Sequence, residues 1–382
     1  MAAVLLDAES PIFGATGRNG GFCCLGVSKA SDAYLDQKFG KPERLLYRKA
    51  EAEAVALVSR LLKTNRIDAD RHSDGETLMA HRPKDVEAMM NEKHTIRENY
   101  GLDPVFHPKE ELLQHGFGGQ FHAAMTTPIG FALNPRKYAD GLLDAAMGYG
   151  LKVYGHSPVI KIEKKSGSFR LTTPKAQVHA ATTIVATNGY SSEDLPDWMR
   201  ARYMPVQSSI VVTRPLSQDE LTAQNWTGEQ MAYNTRNLLH YFRLLPDQRF
   251  LFGMRGGLFA TNTNIRIIKK EIQRDFQRTF PEWANVDIEH EWYGLLCRNR
   301  SRTPYVGPIH NMSGAFAGFG YHGNGVAMAS YSGALLSDLV MGKTPDLPYA
   351  KPMRTVPKRF PLGSYRRHLL RPLYQWMAWR DR

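Results

Sequence analysis

The sequence predicts an α/β (α+β) protein of two domains, and three observations carry that prediction. Short apolar runs that read as buried strands stand beside strands that alternate, with amphipathic helices between them; this mixture layers helices on sheets. A chain of 382 residues exceeds one ordinary domain of roughly 150 residues. An apolar run at the start ends in an acid, Asp7, and passes directly into a loop rich in glycine.

Taken in order, Ala3-Val4-Leu5-Leu6-Asp7 reads as a buried strand, followed by the loop Gly14-Ala15-Thr16-Gly17-Arg18-Asn19-Gly20-Gly21. Residues 43–64 repeat apolar side chains at helical spacing through Leu46, Ala50, Ala54, Leu57, Val58, Leu61 and Leu62. A second helix, 84–100, closes at Gly101. Asn134-Pro135 reads as an N-cap with proline in the first turn, and that helix stops at Gly150. Four strand-like pieces follow: Leu151–Tyr154, Val159–Glu163, Phe169–Thr172 and Thr182–Thr187, the last broken at Asn188-Gly189. Residues 206–214 and 249–254 read as strands. Residues 264–280 read as a helix through Ile265, Ile268, Ile272, Phe276 and Phe280. Residues 315–319 form a small strand, and a glycine loop leads into a core helix at 325–341.

Composition narrows the function classes. Apolar residues make up 42% and charged residues 23%, ordinary for a globular protein. No apolar run reaches the roughly 18 residues of a membrane span, and the start shows no signal-peptide pattern. Cys23, Cys24 and Cys297 make neither a disulfide framework nor a zinc spacing, so a reducing cytoplasm is expected. The net charge is +12. From Lys351 to the end, nine basic residues face one acid, so +8 of that charge sits in the last 32 residues. A nucleic-acid binder would spread its charge over a face, so no nucleic acid is expected. The tail interleaves Leu369, Leu370, Leu373, Tyr374, Trp376, Met377 and Trp379 with arginines. It reads as an arm packed on its own domain, or as a weak contact with a membrane surface. His107, His115 and His122 show no ligand-like grouping with carboxylates, so no metal is expected.

The strongest clue is half of a dinucleotide-binding motif. A βαβ unit of that kind has a glycine-rich turn after its first strand, and about 20 residues later an acid ends the second strand and binds a ribose hydroxyl. Asp7 stands at such a strand end, which places the glycine turn upstream of Met1. Leu5–Ala8 with the 14–21 loop resembles the second strand and flavin loop of the D-amino-acid-oxidase-like FAD oxidoreductases. Thr187-Asn188-Gly189 is similar to that family's strand-end turn, and Gly318-Phe319-Gly320-Tyr321-His322-Gly323-Asn324-Gly325-Val326-Ala327 to its C-terminal flavin loop and helix. Gly130–Gly150, Trp292-Tyr293-Gly294 and Pro304-Tyr305-Val306-Gly307 also fit. The resemblance spans residues 3 to about 342 and is closest to the amine and amino-acid branch, including gamma-glutamylputrescine oxidase-like proteins.

The resemblance implies an FAD-binding Rossmann-like domain, N-terminally truncated, from 1–73, 131–196 and 301–345. It implies a mixed-sheet substrate domain from 74–130 and 197–300, with 346–382 as a basic tail. The implied cofactor is FAD, held by Asp7, Gly14, Thr16, Gly17, Arg18, Asn19, Gly20, Gly21, Thr187, Asn188, Gly189, Gly320, His322, Gly323, Asn324, Gly325 and Val326. The glycines would bring backbone N–H groups to the cofactor, and Arg18 and Asn19 would add donors. The implied reaction oxidises the C–N bond of a small amine or amino-acid substrate by hydride transfer to flavin N5. Arg255, Tyr241 and His322 are the catalytic candidates, with Tyr293, Arg298 and Arg302 beside them, since a carboxylate-bearing substrate wants an arginine fork and a tyrosine hydroxyl. Cys297 reads as an inert buried thiol. With the first strand, its turn and its helix missing, the chain as written is expected to bind FAD poorly and to be prone to aggregation. The rival readings are an impaired remnant acting as a binding or scaffold protein, and a membrane-surface dehydrogenase passing electrons to quinone.

Overall fold

A computed structural model describes residues 2–25, 30–165, 167–257 and 262–381. Met1 and Arg382, the latter counted in the basic tail, lie outside the described residues. The expected helices form where periodicity and caps placed them. Lys41–Thr64 has Pro42 in its first turn and buries Tyr47, Ala50, Ala54, Val55, Val58 and Leu62. These side chains pack on Ala327, Met328, Tyr331 and Leu335 of the helix Gly325–Val340. Asp85–Tyr100 ends on Gly101 in the left-handed conformation, as a C-terminal glycine allows. In Pro135–Gly148 the Asn134 side chain accepts hydrogen bonds from the N–H groups of Arg136 and Lys137.

Sheets divide into one large body and several small ones. Eight strands hydrogen-bond in the order Ile288–Arg298, Met204–Thr213, Phe250–Arg255, His240–Leu244, Ala232–Asn234, Glu76–Ala80, Ala123–Thr127 and Val105–Pro108. The pair 232–234 with 76–80 is parallel and the others are antiparallel. The helix Asn262–Thr279 covers this sheet, setting Ile268, Ile272 and Phe276, with Phe280 beyond it, among Trp226, Phe242, Phe250, Phe252 and Trp283. Thr183–Val185 pairs in parallel with Ala315–Phe319, which pairs with Tyr305–Pro308. Val4–Leu6 pairs in parallel with Lys152–Tyr154.

That last pair corrects one expectation. The opening strand forms, but it is not buried: Val4 is 42% exposed. Its one partner is Lys152–Tyr154, and among the described residues no strand joins this pair to Thr183–Val185. The 14–21 segment is also more than a loop, because Ala15–Arg18 makes one helical turn. The strand Gln177–Ala180 and the helices Asp32–Phe39 and Gln218–Gln224 were not foreseen; each is short, and strand periodicity over four residues is weak evidence.

The C-terminal segment docks on the large sheet. Leu370 and Tyr374 of the helix Leu370–Arg380 pack on Met204 and Val206. The Asp381 carboxylate accepts from the N–H groups of Asn237 and Leu238 and from the Asn237 side chain. Its other face turns outward, with Trp376 48% and Trp379 68% exposed. No helix among the described residues is long and apolar enough to cross a membrane.

Candidate active site

Three glycine-bearing turns from the beginning, middle and end of the chain meet. Asn188 takes a positive φ after the strand Thr183–Val185, and its Oδ1 accepts from the Gly320 N–H at 3.0 Å. The Asn324 amide donates to the Leu25 carbonyl at 2.9 Å, tying the last turn to the first segment. The Tyr190 ring lies beneath Gly14, where a Cβ would stand 3.4 Å from it. Tyr190 Oη accepts from the Leu295 N–H at 3.2 Å, and Trp292 Nε1 donates to the Arg18 carbonyl at 2.9 Å. The strand Ile288–Arg298 therefore touches both the first and the middle turns.

The first turn is braced by a residue that the sequence did not single out. Arg243 is 2% exposed and donates to the carbonyls of Gly20 and Leu133 at 3.0 and 2.9 Å. Its Nη1 lies 2.8 Å from His72 Nε2. Arginine only donates, so His72 Nε2 accepts, and His72 Nδ1–H donates to the Asp70 carbonyl. Burial pulls the Arg243 guanidinium down to about 9 and also lowers His72. The signal was present: a charged residue in the buried strand His240–Leu244.

The glycines and Asn19 of this turn also make contacts within the protein. The Asn19 side chain holds the loop itself: Nδ2 donates to Ala15 and Thr16, and Oδ1 accepts from the Gly21 N–H at 2.8 Å. Neither that amide nor that N–H is free for a cofactor. Gly21 has φ +75°, and a Cβ there would stand 1.9 Å from the Leu133 carbonyl, so the glycine answers the protein's own packing. Gly17 is likewise closed by the Ile12 carbonyl at 2.5 Å. Arg18 lies over the Phe13 ring at 4.0 Å and reaches the Tyr293 carbonyl at 3.4 Å. Thr16 is exposed. The Asp7 carboxylate accepts from the Glu9 N–H at 2.9 Å.

Around the last turn lies a group of buried polar atoms without partners. Arg255 ends the strand Phe250–Arg255, and a Cβ on Gly323 would lie 2.4 Å from its Nη2. Strand pairing sets Ser208 opposite both Arg255 and Gly294. Among the described residues Arg255 Nη1, Arg298 Nε and Asn324 Oδ1 are buried with no hydrogen-bond partner. Burial first, and the nearby Arg298 charge second, bring Arg255 down to about 10. Tyr241 Oη is 3.0 Å from Ser208 Oγ. Its ring fills the space that a Cβ on Gly253 would need, at 2.1 Å, and would stand 2.7 Å from a Cβ on Gly20. Tyr374 of the C-terminal helix is the other group missed by sequence reasoning; burial raises its pKa, and the charges of Arg298 and Arg255 oppose that rise.

Other candidates stand apart from this group or are otherwise engaged. Arg302 is exposed, with its guanidinium 6.0 Å from the Tyr34 ring, so it does not join Arg255. His322 is buried, with its N–H on the Cys297 carbonyl at 3.1 Å and Nε2 3.2 Å from Asn299 Oδ1. Burial pushes the Cys297 thiol up to about 12, an unreactive state. The histidine reading is corrected too: Glu111 comes round beside His107 and His115, and the three offer ligand atoms within 4.8 Å of one another. The fold does this by turning sharply after the strand Val105–Pro108.

Two features fit a flavin dinucleotide at the meeting of the turns. Asn324 Oδ1 is an orphaned buried acceptor, and Gly325 opens a 16-residue helix where an added Cβ would meet nothing within 4 Å. A helix amino terminus with open space beside it suits an electron-rich group.

The chain is 29% identical over 381 residues to a probable oxidoreductase OrdL of Rhizobium meliloti (strain 1021), covering 99% of this chain and 86% of that one. It is 27% identical over 343 residues to the gamma-glutamylputrescine oxidoreductase of Escherichia coli (strain K12), covering 89% and 78%. Its fold superposes on the glycine oxidase of Geobacillus kaustophilus with a TM-score of 0.72 at 18% identity, over 92% of this chain and 91% of that one. The family model described as FAD dependent oxidoreductase (DAO) matches residues 2–339, and the chain belongs to that family.

Proposed function

We propose that this protein oxidises the C–N bond of a small amine or amino acid that carries a carboxylate. The observation that carries the reading is the pair of buried, unpartnered donors Arg255 Nη1 and Arg298 Nε at the meeting of the turns. Two neighbouring cations without a counter-ion are unstable in a protein interior, and an incoming anion satisfies both. A substrate carboxylate is such an anion, and an arginine pair holds it by charge-assisted hydrogen bonds. The Tyr241 hydroxyl, neutral and bonded to Ser208 Oγ, lines the same side. The names of similar proteins, a gamma-glutamylputrescine oxidoreductase and a glycine oxidase, support an amine or amino-acid substrate.

In this reading residues 1–73, 131–196 and 301–345 hold the cofactor, and 74–130 with 197–300 supply the substrate side. Arg18, Asn188, Asn324 and the amino terminus at Gly325 would hold FAD. FAD bound there would supply the acceptor for a hydride from the substrate carbon. Arg255 and Arg298 orient the substrate, and the wall of Tyr241 and Tyr374 excludes water from it. His322 keeps the 320–325 turn in place through Asn299. The buried thiols Cys23, Cys24 and Cys297 suit a cytoplasmic setting.

The test is anaerobic flavin bleaching with a panel of amines, each paired with its carboxylated counterpart. Carboxylated members should reduce the flavin at lower concentration, and Arg255→Met should abolish that advantage. Equal response within each pair would refute the reading. A second reading, contact with an anionic membrane surface, rests on the outward face of the helix Leu370–Arg380. There Leu373, Trp376 and Trp379 stand exposed beside Arg371 and Arg380, while the acid Asp381 is buried against Asn237.

A further inference from the structure

A second group of chemistry-bearing side chains lies at the far edge of the large sheet. Val105–Pro108 is its last strand, seven strand spacings from Ile288–Arg298, or roughly 34 Å at about 4.8 Å each. His107 belongs to that strand and is 7% exposed. The single turn Lys109–Glu111 then carries the chain back. Buried Leu112 anchors the return, with the His115 N–H on the Glu111 carbonyl at 3.2 Å and the Phe117 N–H on the Leu112 carbonyl at 2.9 Å. His107 and His115 end with ring centroids 4.3 Å apart at 60°. One atom from each of His107, Glu111 and His115 lies within 4.8 Å of the other two. Among the described residues no side-chain hydrogen bond links the three, so mutual bonding does not explain why these groups gather.

We propose that His107, Glu111 and His115 bind a divalent transition-metal ion, Zn²⁺ in preference to Mg²⁺ or Ca²⁺. Two imidazoles and one carboxylate are the donors that borderline cations select, whereas the hard cations want six or more oxygens. Tetrahedral zinc with bonds of about 2.0–2.1 Å holds its ligand atoms about 3.3 Å apart. Glu111 and His115 are exposed, so rotation of their side chains closes the difference. His107 is the fixed member, steered by Thr126 Oγ1 at 3.5 Å from its Nε2. Three protein ligands leave a fourth position, and a hollow of about 460 Å³ lined by His115, Asp74, Glu229 and Phe117 opens beside it. Asp74 and Glu229 add negative potential at the approach. A bound ion would pin the 109–116 return to a strand that, among the described residues, has no neighbour on its outer side.

The test uses the full-length, flavin-loaded protein stripped with chelator and dialysed. Titration with ZnCl₂ followed by calorimetry should show one ion per chain with micromolar affinity, unmoved by millimolar Mg²⁺. Cu²⁺ added in its place should give an electron paramagnetic resonance spectrum with two coupled nitrogens. His115→Ala, an exposed position, should weaken zinc binding about 100-fold and remove one nitrogen coupling, and Glu111→Gln should weaken it about tenfold. His179→Ala, on the exposed strand Gln177–Ala180, should leave both readouts unchanged. Zinc should raise the melting temperature of the wild type and not of His115→Ala. No uptake at about 100 μM zinc, or equal affinity in His115→Ala, would overturn the proposal.

Discussion

Replacing Arg255 with methionine separates the cost of a buried cation from its use. Burial, and then the Arg298 charge, bring the Arg255 guanidinium from 12.5 to about 10. At 1.36 kcal/mol per pKa unit, the folded protein opposes this charge by about 3 kcal/mol. Arginine is charged in both states at neutral pH, so folding carries the whole penalty. Methionine keeps the apolar stem and removes the charge, while losing the packing of Nη2 against Gly323. The variant should therefore be more stable than wild type by about 1–3 kcal/mol in urea unfolding of the flavin-loaded protein. The same change should raise KM for a carboxylated substrate by about 10- to 150-fold, the equivalent of one charged hydrogen bond of about 1.5–3 kcal/mol. An amine without a carboxylate should lose less than about threefold. Such a combination, firmer fold and weaker substrate, is the mark of a site held in strain for its ligand. A variant less stable than wild type by more than about 1 kcal/mol would show that Arg255 is already paired within the protein, and the reasoning would fall.

Arg243→Gln should destabilise the protein by about 3–5 kcal/mol and loosen flavin retention. Three buried acceptors, Gly20 O, Leu133 O and His72 Nε2, lose their donors at once; urea midpoints and flavin released on gel filtration would read the two effects. His72, His81 and His240 all titrate below the ordinary imidazole range because they are buried, His81 down to about 4. A lowered folded pKa means that protons favour the unfolded chain. Stability is thus full above about pH 6.5 and falls toward pH 4, and His81→Gln should remove up to about 3 kcal/mol of that fall between the two pH values. For the tail, Trp376→Glu with Trp379→Glu should abolish sedimentation with anionic vesicles at low salt without changing the melting temperature, since both rings are exposed; sedimentation equal to wild type would remove the membrane reading.

What could be read from the sequence and what could not divide along a physical line. The helices Lys41–Thr64, Asp85–Tyr100 and Pro135–Gly148 were legible because their burial, caps and stops are local, written within one or two turns of the residues that need them. The meeting of the turns at 14–21, 187–190 and 320–325 was legible only as motifs, and those motifs also answer contacts within the protein. Gly21 lacks a side chain because the Leu133 carbonyl and Arg243 press on it, and Asn19 serves its own loop. A motif therefore records a shape, and the protein's own backbone can demand that shape as strictly as a ligand does. Residues that answer charge were harder to see, because their partners are remote in sequence. Arg243 reaches Gly20 across 223 positions, and Glu111 becomes a neighbour of His107 only once the chain reverses.

One sequence signal still runs through the missed residues. Gln207-Ser208-Ser209 interrupts the apolar strand Met204–Thr213, and Arg243 interrupts His240–Leu244. A polar group inside a buried strand must find a partner or leave its lost hydration uncompensated. Arg243 finds two carbonyls and an imidazole, and is structural. Arg255 Nη1 finds none, and with Arg298 Nε it leaves two buried donors that an anion would satisfy. The same rule that marks a polar residue in a strand as costly also sorts it: satisfied within the protein, it braces the site, and unsatisfied, it names the charge of what the site is built to receive.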